Sequence, residues 1–273
     1  MKKLAGKVAI VSGSGRGIGR ACALKLAAEG ARVVVNDLDA APATETVDAI
    51  RAAGGEAIAV VGSVTDSDFA ARFVGAAIDT WNGLDIIVNN AGYTWDAVIQ
   101  KMSDEQFDAI LDVHLKAPFR ILREAIGFIR EAAKREAEAG QEIFRKVVNV
   151  SSISGTNGNP GQTNYSTAKA GVTGMTRTLA KEWGRYKVNV NAVAFGYIVT
   201  RMTQATGPGG ATVDIGGRTL PAGVPAQQVR MMEAGIPLGR GGTPEEAANA
   251  IYLLCTPEAD YVSGQVLMVT GGL

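Results

Sequence analysis

The sequence predicts an α/β fold: one domain over residues 1–273, built as a doubly wound parallel sheet of about seven strands with helices on both faces. Three observations carry that expectation. Short apolar runs rich in valine and isoleucine alternate with longer segments whose apolar residues recur at helical spacing. That alternation makes successive strands parallel and their crossovers right-handed. A glycine-rich turn joins the first strand to the first helix, and neither a linker nor an internal repeat divides the chain.

In order, Lys7 to Val11 reads as a short buried strand, followed by SGSGRGIG from Ser12 to Gly19 and the amphipathic segment RACALKLAAEG. Gly13, Gly17 and Gly19 permit a tight turn and close approach of a diphosphate to the helix amino terminus, whose free N–H groups attract anions. The next strand, ARVVVND, ends in Asp37, eighteen residues beyond Gly19. An acid there binds the adenosine ribose hydroxyls, or else caps the following helix. A 2′-phosphate ~4 Å from that carboxylate would meet a repulsion of about 4 kcal/mol per charge, roughly a thousandfold preference for NAD over NADP. Arg16, inside the glycine turn, pulls the other way if it contacts a phosphate, and does nothing if it faces solvent. EAIAVVGSV, from Glu56 to Val64, supplies a third strand and LDIIVNN, from Leu84 to Asn90, a fourth, with a helix containing Phe69, Phe73, Ala77 and Trp81 between them. Asn89, Asn90, Ala91 and Gly92 then close the fourth strand with amides and a small turn.

The stretch SSISGTNGNPGQTNYSTAK, Ser151 to Lys169, holds the chemistry. Ser152 follows the apolar run KVVNV, where a strand delivers a hydroxyl to the carboxyl edge of a sheet. Tyr165 and Lys169 are four apart in a segment with Ala168, Val172, Met175 and Leu179 at helical spacing, so both project from one helix face. Bringing a phenol from pKa ~10 to ~7.5 costs about 3 kcal/mol. One cation at ~4 Å in an effective dielectric of ~20 supplies about 4 kcal/mol. The lysine is therefore expected to lower the tyrosine pKa enough for proton exchange near neutrality, while the serine hydrogen-bonds a carbonyl oxygen. Singly, a serine before glycines caps a turn, and a Tyr–Lys pair one turn apart is packing and surface. With the amino-terminal motif, the three together point to catalysis.

Composition bounds the partners. The 27 basic and 27 acidic side chains balance with no block of one sign, which argues against nucleic acid or an anionic membrane. Cys22 and Cys255 lie far apart in apolar helical contexts and suit reduced, buried thiols. One histidine and two distant cysteines leave no metal-ligand set. The charged start Met1–Lys3 is followed by only four apolar residues, VAIV, too few for a signal segment, and no run approaches the ~20 apolar residues that span a bilayer. A cytoplasmic location is expected.

SGSGRGIG, Asp37, NNAG, the Ser152, Tyr165 and Lys169 array and the closing VSGQVLMVTGGL resemble, in order and spacing, the Rossmann-type short-chain dehydrogenases/reductases over essentially the whole chain. The chain is most similar to the 3-oxoacyl-[acyl-carrier-protein] reductases, with some similarity to 3-hydroxyacyl-CoA dehydrogenases. The resemblance implies hydride transfer between NAD(H) and a 3-oxoacyl or 3-hydroxyacyl thioester, small or carrier-bound. It makes Tyr165 the acid/base, Lys169 the group that lowers its pKa and holds the nicotinamide ribose, and Ser152 the group that polarises the carbonyl. Gly13, Arg16, Gly17, Ile18, Asp37, Ser63, Val64, Asn90, Ala91, Gly92, Ile198 and Thr200 match positions that contact the dinucleotide, alongside Tyr165 and Lys169.

Three positions depart from the family pattern. His114 stands where an asparagine supports a water relay, and either packs structurally or moves protons. Ser63 replaces an aspartate that reads the adenine amino group, which weakens that contact. Phe195 replaces a proline before the nicotinamide loop, which should loosen it. Two segments are individual. The helical pattern from Lys116 towards Ala139 is long and ends in REAAKREAEAGQEIFRK, charged on every side and expected to be solvated; equivalent family helices pair subunits, implying a homotetramer first and a homodimer second. Residues 203–232 hold six glycines and three prolines between Gly207 and Pro225. That composition predicts an irregular insertion, either a mobile cover over the substrate or a disordered loop. Thr243, Pro244 and Glu245 then open a last helix reaching Leu254, and Gln265 to Val269 supplies the seventh strand. Dehydrogenation of another secondary alcohol, a sugar alcohol or steroid, stays open, as does a non-catalytic dinucleotide-binding protein, against which the intact Ser152, Tyr165 and Lys169 set argues.

Overall fold

The computed structural model describes residues 2–206 and 211–273. Strand β1, Val8–Val11, is a run of four buried residues leading into helix α1, Gly17–Ala28. The alternation continues through β2 (Arg32–Asp37), α2 (Ala40–Ala52), β3 (Ala57–Val61), α3 (Phe69–Trp81) and β4 (Ile86–Asn89). Helix α4, Asp104–Leu111, passes through one π turn, Asp112–Lys116, into α5, Ala117–Glu138. Then come β5 (Arg145–Ser152), the short α6 (Ile153–Asn157), α7 (Thr163–Trp183) and β6 (Val188–Phe195). Four small strands follow, β7 (Ala205–Thr206), β8 (Ala211–Ile215), β9 (Arg218–Ala222) and β10 (Val224–Pro225), before α8 (Ala226–Gly235), α9 (Pro244–Cys255) and β11 (Val266–Val269).

The central sheet has seven strands in the order β11-β6-β5-β4-β1-β2-β3, and every pairing in it is parallel. Its inner strands are apolar on both faces because helices cover both. β2 sends Val33 and Val35 into the core shared with Cys22 of α1, Val47 of α2 and Ile251 of α9. Val34 points the other way, into the core of Phe69 and Phe73 from α3 and Ile121 and Leu122 from α5. Helix starts are set locally: Ser103 with Gln106, and Thr243 with Glu246, each form a reciprocal cap on α4 and α9.

β6 carries the weakest strand signature in the sequence, since asparagines interrupt VNVNAVAF. Their amides are absorbed by the neighbouring segment: Asn189 Nδ2 donates to Asp260 O at 3.0 Å, and Asn191 donates to Val262 O at 2.8 Å and accepts from Gln265 N at 3.0 Å.

Two expectations are corrected. The 203–232 insertion is not irregular where it is described; it holds β7 to β10 and most of α8, with 207–210 outside the described residues. Its glycines serve as corners rather than breakers: Gly216, Gly217 and Gly223 have φ of +60°, +78° and +77°. They leave β8 and β9 free to pair antiparallel, with Val213 opposite Leu220. The end of α5 is also not solvated on every side. Ala132 is buried, and Glu136 accepts from Arg145 Nη1 at 2.8 Å, anchoring the helix end to β5.

Candidate active site

The carboxyl ends of β1, β4, β5 and β6 open on a cleft of ≈ 370 Å³. It stands over the reversal of strand order beside β1, where sheets of this kind bind ligands. Every residue that the sequence marks for dinucleotide contact or catalysis lines this one cleft.

The β1–α1 turn is built to admit backbone rather than side chains. A Cβ on Gly13 would lie 2.7 Å from Ala91 Cα, and one on Gly19 would lie 2.1 Å from Gly13 O. Helix α1 has no side-chain cap and no acid in its first turn, so its leading N–H groups face the cleft as an anion cradle. A dinucleotide diphosphate fits that donor set. Ser12 and Asn90 join the turn to the end of β4: Ser12 Oγ accepts from Asn90 N at 3.0 Å and Ala91 N at 3.1 Å, while Asn90 Nδ2 donates to Ser12 O and Gly13 O, both at 3.0 Å.

At the end of the cleft beside β2, Arg16 and Asp37 form one ion-paired unit. Arg16 Nη1 lies 3.3 Å from Asp37 Oδ1 and 3.0 Å from Asp39 Oδ2. Asp37 is largely buried, with Oδ1 also accepting from Asp39 N at 3.1 Å. The Ser63 hydroxyl hydrogen-bonds Thr65 Oγ1 at 2.7 Å. The loop after Phe195 is tied down despite lacking proline: Val199 N donates to Gly242 O at 2.8 Å, and Gly242 N to Tyr197 O at 2.9 Å.

The other end of the cleft is set by β5 and α7. Ser152 ends β5, its Oγ accepting from Ser154 N at 3.1 Å. Tyr165 and Lys169 share one face of α7, with the ammonium 5.5 Å from the phenol ring centroid. Lys169 Nζ donates to Val150 O at 2.6 Å, and Ser151 Oγ donates to Lys169 O at 3.0 Å, clamping helix to strand. The electrostatics differ from the expectation. Burial pushes the Tyr165 phenol up to about 12, opposed by the Ser152 hydroxyl. Burial likewise brings Lys169 down to about 7. The lysine does not make the phenol acidic, because desolvation weakens the charged form of both groups.

His114 sits within the π turn, a distortion that re-aims side chains and clusters at functional sites. Its ring is T-shaped to Tyr165, with centroids 5.0 Å apart and planes at 89°. Nε2 lies 2.7 Å from Tyr93 O; a carbonyl only accepts, so Nε2 carries the proton and Nδ1 is the acceptor. Nδ1 is buried without a partner. Burial first, then the Lys169 charge, hold the imidazole pKa well below its usual range, so it stays neutral.

Several cleft residues escape sequence reasoning, among them Asn36, Tyr93, Arg201 and Met202. Asn36 had a signal, a lone amide within an apolar strand; its Oδ1 accepts from Gly13 N at 3.0 Å. Tyr93 and Met202 look like ordinary apolar loop residues, and pack with Trp95 against Val213 and Leu220 of the hairpin.

A sequence profile described as enoyl-(acyl carrier protein) reductase matches residues 13–273. The chain belongs to the short-chain dehydrogenase/reductase family. It is an enzyme of that family, whose members use nicotinamide dinucleotides. The 3-oxoacyl-[acyl-carrier-protein] reductase FabG of Thermotoga maritima is 36% identical over 271 residues, covering 99% of both chains. The 3-oxoacyl-[acyl-carrier-protein] reductase of a Synechocystis species is 38% identical, covering 100% of this chain and 99% of its own. Hydroxyacyl-CoA dehydrogenase ChsB1 of Mycobacterium tuberculosis is 40% identical, covering 98% of this chain and 78% of its own. No described helix is long and apolar enough to cross a membrane, and no metal-holding group of His, Cys, Asp or Glu is found among the described residues.

Proposed function

We propose that this short-chain dehydrogenase/reductase exchanges a hydride between NAD(H) and a 3-oxoacyl/3-hydroxyacyl thioester. The observation that supports this most directly is the convergence of Ser152, Tyr165 and Lys169 on the cleft that also contains the glycine turn. The names of the relatives, acting on 3-oxoacyl and hydroxyacyl substrates, point the same way.

A bound nicotinamide supplies or accepts the hydride. Ser152 hydrogen-bonds the substrate carbonyl and polarises it. Tyr165 gives its proton to the carbonyl oxygen as negative charge develops there. With its pKa at about 12, the phenol keeps its proton at neutral pH, yet is far more acidic than the alcohol it produces. Reduction therefore finds its acid ready, and oxidation must first generate a phenolate. Lys169 holds the nicotinamide ribose and, when charged, stabilises the phenolate left behind. His114 acts as a positioning residue, its ring edge fixing Tyr165 from the side.

Asp37 receives the ribose hydroxyls and disfavours a 2′-phosphate, which favours NAD; its ion pair with Arg16 tempers that preference without reversing it. Of the 203–232 insertion, the described β8–β9 hairpin serves as a mobile cover over the acyl site, packed against Tyr93 and Trp95. The assembly is a homotetramer, or failing that a homodimer, in the cytoplasm.

Turnover of acetoacetyl-CoA, crotonyl-CoA and a panel of cyclic secondary alcohols tests the reading. NADH-dependent reduction of acetoacetyl-CoA is expected. Turnover of crotonyl-CoA alone would assign the enoyl chemistry named in the matching profile, and turnover of the alcohols alone would assign a different dehydrogenase.

A further inference from the structure

At the opposite, amino-terminal edge of the sheet lies a second cavity of ≈ 350 Å³, between the start of β1, the turn after α3 and the end of α5. No residue lines both this cavity and the catalytic cleft. Its cations are Lys7, Arg32, Arg135 and Arg145, set against the carboxylates of Asp85 and Glu136.

Both carboxylates are occupied. Glu136 takes Arg145 through both oxygens. Asp85 takes Lys7 at 3.3 Å and Val8 N at 2.9 Å. Arg32 and Arg135 have no carboxylate within ion-pair distance among the described residues. Arg32 is nevertheless held in place: Nη2 donates to Gly6 O at 3.1 Å, and the guanidinium stands 5.9 Å from the Trp81 ring centroid. Its Nε is buried with no partner, and a buried charged donor without an acceptor is costly. Helix carboxyl ends favour cations, but the carbonyl that Arg32 meets belongs to Gly6, outside any helix.

We propose that this cavity binds a phosphate dianion, free or as the monoester of a small aromatic molecule. Four cations against two carboxylates leave the lining with a net charge that matches a dianion, and the planar fork of arginine matches phosphate oxygens. Trp81 and Phe128, in the cavity wall, offer an apolar surface to an ester's ring.

Calorimetric titration of the full chain, saturated with NADH so that the α1 cradle is filled, with inorganic phosphate and with phenyl phosphate tests this, using Arg32→Gln and Arg135→Gln as paired variants. Both ligands are expected to bind one site, phenyl phosphate more tightly, and each variant to lose about tenfold in affinity. Reduction of acetoacetyl-CoA should be unchanged in both variants. Equal affinity for the two ligands would identify free phosphate as the occupant and keep the site. Absence of binding to the wild-type chain, or full affinity retained in both variants, overturns the proposal. Arg135 is exposed, so its replacement keeps the test decisive even if Arg32→Gln does not fold.

Discussion

The His114 ring meets the Tyr165 ring edge-on, centroids 5.0 Å apart, while its Nε2 is held by Tyr93 O at 2.7 Å. The phenol is thus braced by a side chain whose other end is fixed to the backbone. His114→Ala is expected to lower kcat about ten- to a hundredfold by releasing that brace, with little change in KM. Because His114 stays neutral, the pH–rate profile of His114→Ala should keep the wild-type shape. A step near pH 6.5 that disappears in His114→Ala would instead make it a proton carrier.

Tyr165→Phe removes the proton donor and leaves the apolar ring. Activity should fall about 10²- to 10⁴-fold, with NADH binding, followed by fluorescence titration, unchanged. In the wild type, reduction should fall as pH rises through about 7, where Lys169 loses the charge that stabilises the phenolate, and oxidation should climb towards the phenol's value of about 12. Equal pH responses in the two directions would count against Tyr165 as the proton-transfer group.

Lys169 links stability to pH. Its pKa is about 7 in the fold against 10.5 for the ordinary group, so between those values the unfolded chain binds more protons. Stability contributed at this site therefore rises with pH from about 7 to 10.5. Below that window both states are protonated, and the cost of the buried ammonium is present in full. Lys169→Met should melt higher than wild type below neutrality, with the gap closing as pH rises. A gap that is constant with pH would show that the lysine is not desolvated.

Asp37→Ala removes the carboxylate that disfavours a 2′-phosphate and releases Arg16 from one partner. The ratio of NADPH to NADH turnover is expected to rise about tenfold or more. An unchanged ratio would move cofactor choice away from this residue.

Gly92 has no room for a methyl group. A Cβ there would stand 2.0 Å from His114 Cε1, so Gly92→Ala should destabilise the chain by about 1–3 kcal/mol and displace the brace on Tyr165. Combining it with His114→Ala should recover most of the lost stability, a coupling measurable by a double-mutant cycle. Simple additivity would refute the contact.

That the site residues line one cleft was legible because polar groups at the ends of apolar strands have few structural reasons to be there; Ser152, Asp37 and the NNAG turn all stand out in this way. What stayed hidden depended on three-dimensional neighbours. The Arg16–Asp37 pair spans two loops, so the sequence showed its members as competitors. The shifted pKa values of Tyr165 and Lys169 follow from burial, which a helical spacing does not report. β6 was obscured by asparagines whose partners lie some seventy residues away. The hairpin was obscured because glycine and proline content argues against regular structure, when Gly216 and Gly217 occupy the positive-φ corner that lets its strands pair.

The Ser12–Asn90 lattice that joins β1 to β4 has an evolutionary consequence. With Ser12 Oγ occupied by two amides and the Asn90 amide by two carbonyls, the groove keeps its width whether or not anything lies in it. A descendant that switched nucleotides would have to re-tailor the side chains around the adenosine, since the main chain beneath has no slack to contribute.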